Sequence, residues 1–161
     1  KGDLTRARLL ANDPHLAARR QLFASTPSRL DGTGMAVVAC VDALLGEIEA
    51  AAAPLAERHA AEVAAMEERI ARNGERGSGK KALEERHKRE LRRHRVDELR
   101  SGLATLAGSY RDALVRGDLP RPDAAAKAIR RIHLALEALD RNPNEPLLLQ
   151  GLLLDLPSLP G

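Results

Sequence analysis

The chain has 161 residues, a formal net charge of +3, and 43% hydrophobic but only 1% aromatic residues. That length fits one domain, or one domain with an appendage, and the Leu- and Ala-rich apolar set suits helix packing better than a β-sandwich core. A single cysteine, Cys40, excludes an intrachain disulfide or a cysteine-based zinc site and reads as a buried thiol, while no uncharged apolar run of about 18 residues is present to span a membrane.

The start, Lys1-Gly2-Asp3, has neither an initiator Met nor a signal-peptide core and reads as the interior of a longer protein. Asp3 is predicted to cap a short helix through Leu10, and Asn12 or Asp13 ends it and caps the next. Pro14 falls in a first helical turn, where its missing N–H costs little. That second helix, from His15 to about Ser25, is amphipathic through Leu16, Leu22 and Phe23. Thr26-Pro27-Ser28 and Asp31-Gly32-Thr33-Gly34 carry loop chemistry.

A long helical segment follows, from about Met35 to Arg72. Val41, Leu45, Ile48, Ala52, Leu55, His59, Val63, Met66 and Ile70 keep three-four spacing, the seam of a coiled coil. Pro54 interrupts it. Proline inside a helix costs ~3 kcal/mol and removes a hydrogen bond, so a kink or break is expected near Ala50. The glycine-rich segment 73–79 reads as a hairpin tip. Helical periodicity resumes from Lys80 to Val115 through Leu83, His87, Leu91, His94, Leu99, Leu103 and Leu106.

Two long helices around a short loop should fold back as an antiparallel hairpin. Charge favours that pairing. Glu47, Glu49, Glu57, Glu62, Glu67 and Glu68 precede the tip; Lys80, Lys81, Arg86, Lys88, Arg89, Arg92, Arg93 and Arg95 follow it. His59 and His87 fall at seam positions, where neutral rings would make the arm loosen on acidification. Gly117 to Asp123 breaks the chain again. Asp123 is expected to cap a helix through about Arg141, and Asn144 to cap a last helix that is apolar almost all round.

Three segments carry partial chemical motifs. Gly74-x-x-x-x-Gly79-Lys80 matches part of a P-loop, but a helix precedes it and Lys81 stands where a hydroxyl should hold Mg²⁺. Glu84-x-x-His87 is half of a di-iron bundle signature whose second half is absent. The basic run Lys80–Arg95 could grip phosphates but lacks interleaved aromatics for base stacking. No Ser/His/Asp or Cys/His nucleophile pattern stands out.

Segments at both ends and through the middle resemble a known family. Gly108-Ser109-Tyr110-Arg111-Asp112-Ala113-Leu114-Val115, then Arg141-Asn142-Pro143-Asn144-Glu145-Pro146 and the leucine-rich end, resemble the C-terminal collar of the delta-prime subunits of bacterial DNA polymerase III, in the clamp-loader family. Gly2-Asp3-Leu4-Thr5-Arg6-Ala7-Arg8-Leu9-Leu10 is similar to the last helix of an AAA+ lid. Thr5 stands where ATP-binding relatives carry a sensor arginine, as in delta-prime subunits, which generally do not hydrolyse ATP. Asp13-Pro14 to Arg19-Arg20 is similar to the connection into the collar. Gly79-Lys80-Lys81-Ala82-Leu83 and Arg95-Val96-Asp97-Glu98-Leu99 resemble the charged insertion of actinobacterial members.

The resemblance implies an all-α, collar-type helical bundle with a long antiparallel hairpin arm. Residues 1–12 would be the end of the lid-like region, 13–161 the collar, and about 47–95 the arm. It implies a cytoplasmic, non-catalytic fragment with no catalytic residue, cofactor, metal or small-molecule substrate. Its partners would be the other clamp-loader subunits, held through a collar whose interface or core includes Leu147, Leu149, Leu152, Leu153 and Leu156. The parent complex would be the DNA-directed DNA polymerase III. The alternative is a stand-alone coiled-coil protein that binds nucleic acid through the helix of residues 80–95, using Lys80, Lys81, Arg86, Lys88, Arg89, Arg92 and Arg93; a metal-dependent bundle ranks third.

Overall fold

The computed structural model describes residues 15–73, 79–118 and 121–160. The expected lid helix, its caps and the hairpin tip at 74–78 lie outside the described residues. Within them the protein is all α, with six α-helices and a single 3-10 turn. They are α1 (Leu16–Arg29), α2 (Gly34–Ala51), α3 (Ala53–Asn73), α4 (Lys80–Arg116), α5 (Pro122–Ala138) and α6 (Glu145–Leu154).

The axis of the fold is α4, whose 37 residues span about 55 Å. Its first half pairs with α3 as an arm, and its second half is the centre of the body. Arg19 to Glu98 and Ser109 to Ala24 contacts run α1 parallel to α4. Arg100 to Asp140 runs α5 antiparallel to it, while Arg95 to Glu145 and Tyr110 to Pro157 bring α6 back parallel. The α2 helix climbs to the base of the arm, where Glu49 meets Arg95 at 2.7 Å.

The core is aliphatic, as the composition demands. Leu44, Leu103, Leu106, Ile132 and Leu149 are buried, and both aromatics, Phe23 and Tyr110, sit among them. Against α4, the α5 helix presents the small buried residues Ala125, Ala128 and Ala135, which bring the two backbones close. Cys40 is buried as expected, and burial raises its thiol pKa.

Boundaries follow local chemistry. The break expected near Ala50 falls at Ala52, and Pro54 becomes the second residue of α3, where a helix has no use for an N–H. Thr26-Pro27-Ser28, expected to be a loop, is helical. The helix ends two residues past Pro27, the hydroxyls of Ser25 and Thr26 donate to the Leu22 carbonyl, and the Pro27 carbonyl accepts the N–H of Leu159 at 3.1 Å. Burial of Pro27 by the returning tail offsets the one bond its ring removes.

Asp123 does not cap α5. Arg121 is the N-cap, Pro122 opens the helix, and Asp123 sits in the first turn, where a carboxylate suits the dipole. The helix also stops at Ala138, followed by a 3-10 turn over Leu139–Arg141 that closes on Asn142 at φ 55°. Asn144 does cap α6, its Oδ1 accepting the Leu147 N–H at 3.1 Å. At the far end of α4, Gly117 supplies the left-handed C-cap at φ 75°.

Candidate functional site

Two surfaces carry the chemistry of this molecule: the arm, and the outer face of α6. Over residues 56–72 and 80–94 only His59 and His87 are buried. The arm is therefore a two-helix element bathed in solvent, and its apolar seam residues Leu55, Val63, Met66, Leu83 and Leu91 are only half-buried. Such a pair needs something else to hold its register.

That something is a polar buckle. The rings of His59 and His87 stack across the seam with centroids 3.9 Å apart and an interplanar angle of 8°. Each ring then reaches a carboxylate on the opposite helix. His59 Nε2 lies 2.8 Å from Glu90 Oε2, and His87 Nε2 lies 3.0 Å from Glu62 Oε2. Arginines complete it: Arg58 Nη2 donates to Glu90 at 2.8 Å, and Arg86 pairs with Glu62.

The arrangement has pseudo-twofold symmetry because the sequence does. Glu57-Arg58-His59-x-x-Glu62 on α3 recurs as Glu85-Arg86-His87-x-x-Glu90 on α4. Spacing of three places His and Glu on one helical face, and an antiparallel partner carrying the same motif returns every contact. The Glu84-x-x-His87 reading looked for the carboxylate on the wrong side of the histidine. The repeat Glu-Arg-His-x-x-Glu was the signal available.

The two imidazole Nε2 atoms point to different carboxylates, and among the described residues no group of three or more His, Cys, Asp or Glu side chains is disposed to hold one metal ion. The buckle is a register lock.

Its pH response sits with the carboxylates. The His87 ring, then the Arg86 and Arg58 guanidiniums, hold the Glu62 carboxyl below its usual range; the His59 ring and Arg58 do the same for Glu90. A lowered folded-state value contributes stability above the ordinary carboxylate pKa of 4.5 and loses it as pH falls through the folded value. The carboxylates therefore add a loosening below about pH 4.5 to the one expected of neutral seam histidines between pH 7.5 and 5. Helicity followed by circular dichroism should fall further below about pH 4.5, and a Glu62→Gln/Glu90→Gln protein should lose that extra acid sensitivity. A Glu62→Gln/Glu90→Gln protein as acid-sensitive as its parent below about pH 4.5 would contradict the assignment.

The basic residues of the arm sort into two sets. Facing the seam, Lys80 pairs with Glu67 at 2.6 Å, Arg86 with Glu62, and Arg95 bridges Glu49 and Glu145. Turned away, Lys88 pairs only with Glu85 on its own helix at 3.1 Å. Lys81, Arg89, Arg92 and Arg93 are exposed and make no ion pair among the described residues.

The leucines of the last helix also divide. Leu149, Leu152 and Leu153 are buried in the core, and Leu156, just past the helix, joins them. Leu147 is 65% exposed and Leu154 60%. With Gly151 between them, at spacings of four and three, they form one uncovered apolar stripe on α6. Leu134 on α5, also exposed, flanks the Arg131–Asp155 ion pair beside the end of that stripe.

Among the described residues, no helix is long and apolar enough to cross a membrane. No family model matches the chain, and no curated protein or solved structure matches it either.

Proposed function

We propose that this chain is the collar region of a clamp-loader subunit of the delta-prime type, a non-catalytic piece that holds neighbouring subunits in order while a sliding clamp is loaded on DNA. The observation that carries the reading is the apolar stripe Leu147–Gly151–Leu154, left uncovered on a helix whose Leu149, Leu152 and Leu153 are buried in the core. The four buried leucines of the same segment explain why it is leucine-rich, but these two leucines find no intramolecular use. Large exposed apolar side chains on one helix face fit a subunit interface. The all-α body and the protruding hairpin agree with what the sequence resemblance implies.

The exposed pair allows a cleaner test than the buried leucines do. Leu149→Asp or Leu153→Asp would bury an unpaired charge at sites 1% exposed and would unfold the body before testing any interface. Leu147→Asp/Leu154→Asp should leave helicity and melting temperature nearly unchanged, because surface substitutions cost within about 0.5 kcal/mol. In the longer protein, the double variant should lose assembly with the other clamp-loader subunits in a pull-down. Normal assembly would reject the α6 stripe as the interface; a folded wild-type protein with no affinity for any clamp-loader subunit would reject the family reading.

A further inference from the structure

We propose that the outward face of α4 along the arm, from Lys81 to Arg93, is a contact surface for the phosphate backbone of duplex DNA. The inference goes beyond the collar reading and does not depend on it. Between Lys80 and Arg95 the chain carries eight Lys or Arg residues and three Glu. The fold spends the seam-facing cations on α3, α2 and α6 carboxylates and leaves the others outside. On a helical wheel, Lys81, Lys88, Arg89, Arg92 and Arg93 share the arc opposite the buckle with Ala82, and Glu85 is the one acid among them.

The acidic partner helix neutralises one face of this run, the inner one. The α3 carboxylates that pair across the seam, Glu62 and Glu67, reach Arg86 and Lys80, and no described contact carries α3 around to the far face of α4. The arm is thus two-faced, with one outer surface basic.

The features of this face select its ligand. Arg89, Arg92 and Arg93 are neighbours at spacings of three and four, so they sit together on one stretch of helix surface. From Lys81 to Arg93 the helix rises about 18 Å, a length that covers about five base-pair rises of 3.4 Å along a duplex axis. No large exposed apolar side chain lies on this face to anchor a protein partner. No aromatic residue stands anywhere in the arm, since Phe23 and Tyr110 are both buried in the body. Single strands are held by base stacking on aromatic rings, so the surface fits the sequence-independent backbone of a duplex.

The test uses the 161-residue chain and a fluorescein-labelled mixed-sequence DNA duplex, with the matching single strand as comparison. Binding is followed by anisotropy from 50 to 200 mM salt. Each phosphate-neutralising cation contributes about −0.9 to the slope of log K against log salt, so a slope of about −3 to −4 is expected for the four unpaired cations. Arg89→Glu/Arg92→Glu/Arg93→Glu should weaken duplex binding at least a hundredfold while helicity is retained. Arg20→Glu/Arg130→Glu/Arg141→Glu changes the net charge equally at exposed positions in the body and should weaken it less than fivefold. Equal losses from both variants would mean attraction by net charge alone and would overturn the proposal. So would single-strand binding tenfold tighter than duplex binding, or no duplex binding at 50 mM salt.

Discussion

Gly102→Ala is expected to destabilise the protein by about 1–3 kcal/mol, although alanine at an unobstructed helical glycine stabilises by about 0.5–1 kcal/mol. The reversal comes from the packing of α1 on α4. Gly102 lies mid-helix, and a Cβ built on it would fall well inside van der Waals distance of three carbons of the Phe23 ring. That ring is 2% exposed and flat, so it cannot swing aside as a flexible chain end could. Relief would require moving α1, which also carries the Arg19–Glu98 pair and the Ala24 carbonyl that accepts from Ser109. For a chain of this size, each kcal/mol lowers the melting temperature by about 2–4 °C.

Two companions identify the cause. Gly46→Ala in α2, where a Cβ meets nothing within 4 Å, should be neutral or stabilising. Phe23→Leu combined with Gly102→Ala should recover part of the loss, because the smaller side chain vacates the space; Phe23→Ala alone should cost about 3–5 kcal/mol as a cavity. Urea unfolding of the parent, Gly102→Ala, Phe23→Leu and their double variant gives the coupling directly. A Gly102→Ala protein as stable as its parent would remove the close approach.

The helices and the hairpin were legible in the sequence because each is a local pattern. The seam from Leu55 to Leu91, the break before Pro54, the stop at Gly117 and the Asn144 cap all follow from residues within a few positions of one another. What escaped was set by distant chain. Pro27 is helical because the tail at Leu159 covers it, and nothing near Pro27 announces that. Gly102 passed unremarked because its reason is a ring on another helix. The two histidines were placed on the seam correctly, but their carboxylate partners required the antiparallel register before the repeated motif acquired meaning. The leucines of α6 were identified as a group, yet which of them face solvent depends on where α2 and α5 lie. Arg19 and Glu98 look like two surface charges in two amphipathic helices until the helices are brought together.

Those last two residues carry the larger expected effect. Arg19 Nε and Nη2 stand 3.1 and 3.0 Å from Glu98 Oε2, with side chains 4% and 7% exposed. The pair sits where α1 meets α4, a few residues inside the arm base at Arg95. Removing only the acid, by Glu98→Leu, leaves a guanidinium out of water without the Glu98 carboxylate, and should cost about 3–5 kcal/mol. Glu98→Gln retains an acceptor but no charge and should cost less. Replacing both, by Arg19→Met/Glu98→Leu, removes the desolvated charges together and should restore most of the stability, since an apolar pair of similar volume is often as good as a buried ion pair. If the pair acts as described, the double variant is more stable than Glu98→Leu alone, and the double-mutant cycle shows a coupling of more than about 1 kcal/mol. Additive effects, or a Glu98→Leu loss below about 1 kcal/mol, would show instead that the ion pair contributes nothing to holding α1 on the body. The same variants bear on assembly. On the collar reading proposed above, the Glu98→Leu protein should lose assembly in proportion to its unfolded fraction, whereas the restored double variant should assemble normally, which would separate support of the fold from contact across an interface.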